Sequence, residues 1–188
     1  MADATFVKDT NLLQTRRVTS WSAIFAGTFV FLAVEATFGL LGLAIFANAS
    51  NPAAAHPVTG MSAGIGIWTV ILTIIALYCG GRAAGHLSGV TDKLNGMYHG
   101  LVTFGLSIFA TVLITAMILG TNPGTVSSAV NAAPSTIGDV LTTAGYWLFV
   151  ALLLGGLSAI LGGSNAATAA PSAAEIREAD RTKLRSIA

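Results

Sequence analysis

The chain has 188 residues, 54% of them hydrophobic and 9% charged, with a formal net charge of +1. A soluble domain carries roughly a quarter charged residues, so the composition excludes an ordinary soluble fold and points to the membrane. The single cysteine, Cys79, excludes an internal disulfide and any multi-cysteine metal or iron–sulfur site.

Residues 1–20 read as a cytoplasmic N-terminal segment with Lys8, Arg16 and Arg17. A first apolar span follows at about 21–46. Arg16-Arg17 before an apolar run, with Ala47-Asn48-Ala49 after it, imitates a twin-arginine signal peptide. The run is longer than a signal core of about 7–15 residues and contains Glu35, so it reads as an uncleaved span. Further spans are expected at about 64–85, 96–119 and 145–163, since a bilayer crossing takes roughly 20 apolar residues. The first and third loops are rich in Gly, Pro, Asn, Ser and Ala, whereas the second, HLSGVTDKLN, is short and charged. A domain division follows: 1–20, a four-span bundle over 21–165, and a cytoplasmic tail over 166–188.

All nine Lys and Arg residues lie before the first span, around the second loop (Arg82, Lys93) or after the fourth span (Arg177, Arg181, Lys183, Arg185). The positive-inside rule therefore places both termini and the middle loop in the cytoplasm. In the tail, Ser172-Ala-Ala-Glu175 forms a capping box after Pro171. Ile176, Leu184 and Ile187 then make a thin apolar stripe among basic residues, the pattern either of a surface helix drawn to anionic headgroups or of a solvated helical tail.

Small residues recur at helical spacing in every span. Gly39, Gly42, Gly81, Gly85, Gly155 and Gly162 are the expected packing positions, with Gly81 and Gly85 forming a GxxxG. In lipid, helices associate through close backbone approach, so these faces predict an all-α four-helix bundle or contact with other subunits. AIFAGTFVF (23–31) also matches GMYHGLVTF (96–104), and LYCGGRAAG (77–85) matches AILGGSNAA (159–167). These matches admit either a duplicated helical hairpin or chance likeness between glycine-rich helices.

WSAIFAG opening the first span, CGGRAAGHLSG closing the second, and NGMYHGLVTFGLS after a short charged loop carry a resemblance. Over about residues 20–165 the chain resembles the small four-span bacterial membrane proteins of the YrzE-like, uncharacterised type. The resemblance implies a bacterial inner-membrane protein and no particular activity.

Glu35 is the one acid within a span, near the bilayer centre. An ionised carboxylate there is expensive, and intramembrane acids merit a functional reading by default. Thr28, Gly39 and Gly42 share its helical side, which turns it toward protein. Its expected level mates are Thr73, Ser107 and Thr111. The favoured reading is a protonated carboxyl donating a hydrogen bond across helices; the rival is a proton or cation site.

Arg82, His86 and His99 gather near the inner ends of the second and third spans and form a candidate lipid or partner contact. The two histidines differ in depth by about 6 Å, which disfavours a bis-histidine haem. Trp21, Trp68, Trp147 and Tyr146 fall near span ends, as interfacial belts require. The sequence has no GxxxxGK[ST], HExxH, GxSxG or paired carboxylates.

The expectation is a non-enzymatic inner-membrane protein acting through helix packing, as an accessory subunit or a homo-oligomer. No catalytic residue, metal, cofactor or nucleic-acid partner is expected. The alternative is a small proton, ion or small-molecule transporter or channel using Glu35. That alternative predicts flux in proteoliposomes that is lost in Glu35→Gln; unchanged flux eliminates it.

Overall fold

A computed structural model describes residues 19–49, 62–121 and 134–168, together with residue 182. It contains α1 (Trp21–Ala49), α2 (Ser62–Leu87), α3 (Lys93–Thr121) and α4 (Pro134–Thr168), and no strand among the described residues. All four helices are long and apolar enough to cross a membrane. Residues 50–61 of the first loop with His56, residues 122–133 of the third, the N-terminal basic residues and the amphipathic stripe of the tail lie outside the described residues.

The first three helices match the expected spans to within a few residues. The fourth does not: α4 begins at Pro134, inside the stretch read as the third loop. Proline suits a first helical turn, because its missing N–H is unpaired there in any case. At 35 residues α4 is about 52 Å long, well beyond the roughly 30 Å hydrocarbon core. An apolar run marks where a helix crosses lipid, whereas hydrogen bonding decides where the helix starts.

The α2–α3 turn is closed by local chemistry. Gly89 has φ +65°, the left-handed conformation that ends many helices and suits glycine. The Ser88 N–H donates to the Ala84 carbonyl (3.1 Å), and the Ser88 hydroxyl donates to the Gly85 carbonyl (2.7 Å). Asp92 then starts α3, accepting from the Leu94 N–H at 3.3 Å through its side chain.

In the bundle, α2 packs on α4 and on α1, and α3 packs on α4; lesser contacts join α2 to α3 and α1 to α3. Among the described residues α1 and α4 do not pack on each other. The contacts Gly27–Gly80 and Gly42–Trp68 make α1 and α2 antiparallel; Gly81–Ala159 and Gly85–Gly163 make α2 and α4 parallel.

The tightest contact is made from backbone. A Cβ at Gly85 would lie 2.6 Å from the Gly163 carbonyl oxygen, and one at Gly96 would lie 2.5 Å from the same oxygen. A Cβ at Gly81 or at Gly100 would fall on the Ala159 carbonyl oxygen. Two GxxxG pairs, Gly81/Gly85 on α2 and Gly96/Gly100 on α3, thus clasp two carbonyls one turn apart on α4. Such close approach gives dispersion contacts and Cα–H···O contacts, the interactions that hold helices together where lipid removes the hydrophobic drive. A smaller version joins α1 to α2, where a Cβ at Gly27 would lie 2.5 Å from the Gly80 oxygen.

The internal repeat is only partly reflected in the packing. Its sequence match pairs Gly27 with Gly100 and Gly80 with Gly162, yet Gly100 meets the Ala159 oxygen, three residues earlier. The two antiparallel hairpins share order and direction but pack about 4.5 Å out of register.

Away from the α2–α3 turn the bundle loosens. Trp68 lies on Gly42 and meets Phe46 edge to face (centroids 6.5 Å, 75°), and Trp147 lies on Gly66. These two tryptophans, expected in an interfacial belt, wedge helix pairs instead, because a facing glycine admits the ring. Trp21 and Tyr146 are exposed, as a belt requires. Thr111 to Ile118 of α3 are exposed at every position, which spans two full turns.

Replacing Gly163 by leucine must displace backbone, so Gly163→Leu is expected to cost about 3 kcal/mol or more. Gly105→Leu, where a Cβ meets nothing within 4 Å, is expected to change stability by less than about 0.5 kcal/mol. Unfolding in bicelles or mixed micelles checks both.

Candidate intramembrane polar site

Glu35 is half-buried on α1, and its Oε1 accepts a hydrogen bond from the Thr73 hydroxyl of α2 at 3.1 Å. Of the three expected mates, Thr73 is the one it meets. In this contact the carboxyl accepts through Oε1. Thr73 is free to donate because it has turned from its own helix. Thr28, Thr37, Thr69, Thr111 and Thr121 each donate to the carbonyl four residues back, the usual resort of a threonine in a helix.

What turns Thr73 is visible on α4. A Cβ at Gly155 would lie 3.1 Å from Thr73 Cγ2, so the threonine methyl is seated on a glycine. The two γ substituents of this β-branched residue diverge, the methyl toward α4 and the hydroxyl toward α1. Gly155 therefore helps to position the donor. A second link ties α4 to α2, where the Ser158 hydroxyl donates to the Ile74 carbonyl at 2.8 Å.

The remaining expected neighbours separate. Ser107 is fully buried, and its hydroxyl has no partner among the described residues. Thr111 is exposed and donates to the Ser107 carbonyl (2.9 Å). Gly42 packs on Trp68, whereas a Cβ at Gly39 would meet nothing within 4 Å. Helical geometry explains the split: seven residues return to within about 20° of Glu35, while four overshoot by about 40°. Thr103 and Trp68 join Ser107 in holding a buried polar atom without a partner among the described residues.

Arg82, His86 and His99 do not form one cluster. Arg82 and His86 are exposed, and Arg82 lies beside Tyr78, whose hydroxyl accepts from Asn165 at 3.3 Å. His99 is buried, with both ring nitrogens engaged. Nδ1 lies 2.8 Å from the Asn95 carbonyl, and Nε2 accepts from the Ser20 N–H at 3.2 Å. That pattern assigns the proton to Nδ1 and a neutral ring. Ser20 is also the cap of α1, its hydroxyl accepting from the Ala23 N–H at 3.4 Å. A histidine of α3 thus anchors the start of α1.

Gly81, Gly85, Gly155 and Gly162 are all seated on neighbouring helices, Gly162 on the Tyr78 carbonyl. Gly27, Gly80, Gly96, Gly100 and Gly163 belong with them. The GxxxG spacing of Gly96 and Gly100 is the sequence signal for two of these. Among the described residues no three His, Cys, Asp or Glu side chains come together. Comparison with family models, with curated proteins and with solved structures found no match.

Thr73→Val keeps the shape and removes the donor, so a loss of about 1 kcal/mol is expected, with Thr73→Ser close to wild type. His99→Phe leaves the Ser20 N–H unpaired. It is expected to cost about 1–2 kcal/mol and to speed amide exchange at the start of α1, read by hydrogen exchange in nanodiscs.

Proposed function

We propose that the chain is a non-enzymatic integral protein of a bacterial inner membrane. It works through helix packing, as an accessory subunit of a larger membrane complex or as a homo-oligomer. One observation carries this reading: polar and small groups inside the bundle join one helix to the next. Glu35 with Thr73, His99 with Ser20 and Ser158 with Ile74 each link two helices, and the glycine faces of α2, α3 and α4 close on one another. The outward surface is left apolar, with α3 uncovered on all sides over Thr111–Ile118. That segment is the natural place for a neighbouring membrane subunit or a second copy to pack, with lipid over the rest.

The distribution of Lys and Arg supports an orientation with both termini and the α2–α3 turn in the cytoplasm. The exposed Arg82 and His86, with the basic tail, would then lie at the level of anionic headgroups.

Gentle extraction followed by mass measurement tests the assembly. A species heavier than one chain is expected, shifted toward monomer by charged residues placed at Val112 and Leu113. A monodisperse monomer under every mild condition removes the assembly reading.

A further inference from the structure

We propose that water occupies a buried seam between α1 and α3, bridging the hydroxyls of Thr103 and Ser107 to the Glu35–Thr73 pair. Through that seam the Glu35 carboxyl exchanges its proton with the end of the bundle where Ser20 and His99 lie.

The seam is built from α3. His99, Thr103 and Ser107 recur every four residues, so they share one helical face, and all three are buried. Thr103 and Ser107 are each 0% exposed, and both hydroxyls lack a partner among the described residues. Other buried hydroxyls in this bundle find one: Thr28 on its own helix, Thr73 on Glu35 and Ser158 on Ile74. Two successive unmet hydroxyls on one face are costly unless something polar meets them, and buried waters typically serve that purpose.

The register brings Glu35 within reach. α1 and α3 run in the same direction, with Ser20 beside His99 and Gly27 beside Thr103; a Cβ at Gly27 would lie 3.1 Å from Thr103 Cγ2. Glu35 is eight residues beyond Gly27 and Ser107 four beyond Thr103, which leaves an axial gap of about 6 Å. The glutamate side chain leans back toward the start of its helix, and so toward Ser107. One water bridging two oxygens spans about 5.5 Å, twice an O–H···O length, which is on the scale of that axial offset. Phe31, between Gly27 and Glu35 along α1, belongs to an apolar cluster with Ala76, Leu77 and Ala159.

The transferred species is a proton alone. The carboxyl O–H bond breaks as an O–H bond forms on the adjoining water, and each hydroxyl gives up one proton as it takes another. Thr73 faces Glu35 from α2, and α3 presents His99, Thr103 and Ser107. His99 is the one titratable group among these, and among the described residues α4 does not pack on α1.

The test uses the full chain in lipid nanodiscs. In the wild type, solid-state NMR transfer from water protons to Thr103 and Ser107 is expected, and its absence overturns the proposal without any variant. Infrared spectroscopy then follows deuteration of the carboxyl band, assigned by its loss in Glu35→Gln. Thr103→Val with Ser107→Ala is expected to slow that exchange by about tenfold or more. A dry seam gives unchanged exchange and a variant at least as stable as wild type, which overturns the proposal. A band that responds to sodium at fixed pH and not to pH overturns it in favour of a cation site.

Discussion

The bundle depends on two carbonyl groups of α4. The Ala159 and Gly163 oxygens stand one turn apart, and glycines of α2 and α3 close on them from two sides. A side chain on any of those glycines would occupy the space of a backbone atom, which cannot move aside without unwinding a helix. Water is absent from the membrane core, and leucine on leucine gains little over leucine on lipid. Close approach of backbone supplies what hydrophobic burial supplies in a soluble bundle. The arrangement fixes α2, α3 and α4 as a three-helix unit at the end near the α2–α3 turn.

α1 is attached to that unit by different chemistry. Among the described residues it has no contact with α4, and its anchors are spaced along its length. The His99 ring holds its first turn, Gly27 sits on Gly80, Glu35 takes the Thr73 hydroxyl, and Gly42 seats Trp68. Each is a single polar or small-residue contact worth on the order of 1 kcal/mol. Their sum sets the position of α1 while leaving its outer face to lipid or to a neighbouring subunit. Glu35 is therefore a positional group first. The hydroxyls of Thr103 and Ser107, without a partner among the described residues, carry the proposal that it also exchanges a proton through water.

Helix number and span limits were legible because a bilayer imposes one length on every crossing. The inward turn of Glu35 was legible too, since Gly42 falls on nearly the same side of the helix. Thr73 emerged as a mate from depth alone. The turn of its hydroxyl away from its own helix did not, because that depends on how Gly155 of a third helix seats the threonine methyl. The anchoring of Ser20 by His99 was hidden for a related reason: residues 79 apart in sequence meet only once the α1–α3 register is set. Grouping His99 with Arg82 used depth and ignored the helical face. The start of α4 was missed because hydropathy marks lipid and not hydrogen bonding.

The bundle turns on the glycine clasp, and contacts between labelled backbone atoms in lipid measure it most directly. In magic-angle NMR of the full chain in bilayers, the Ala159 carbonyl carbon should correlate with the Cα of both Gly81 and Gly100. The Gly163 carbonyl should correlate with those of Gly85 and Gly96. Correlation with one partner helix alone, or with neither, would contradict the clasp and the bundle built on it.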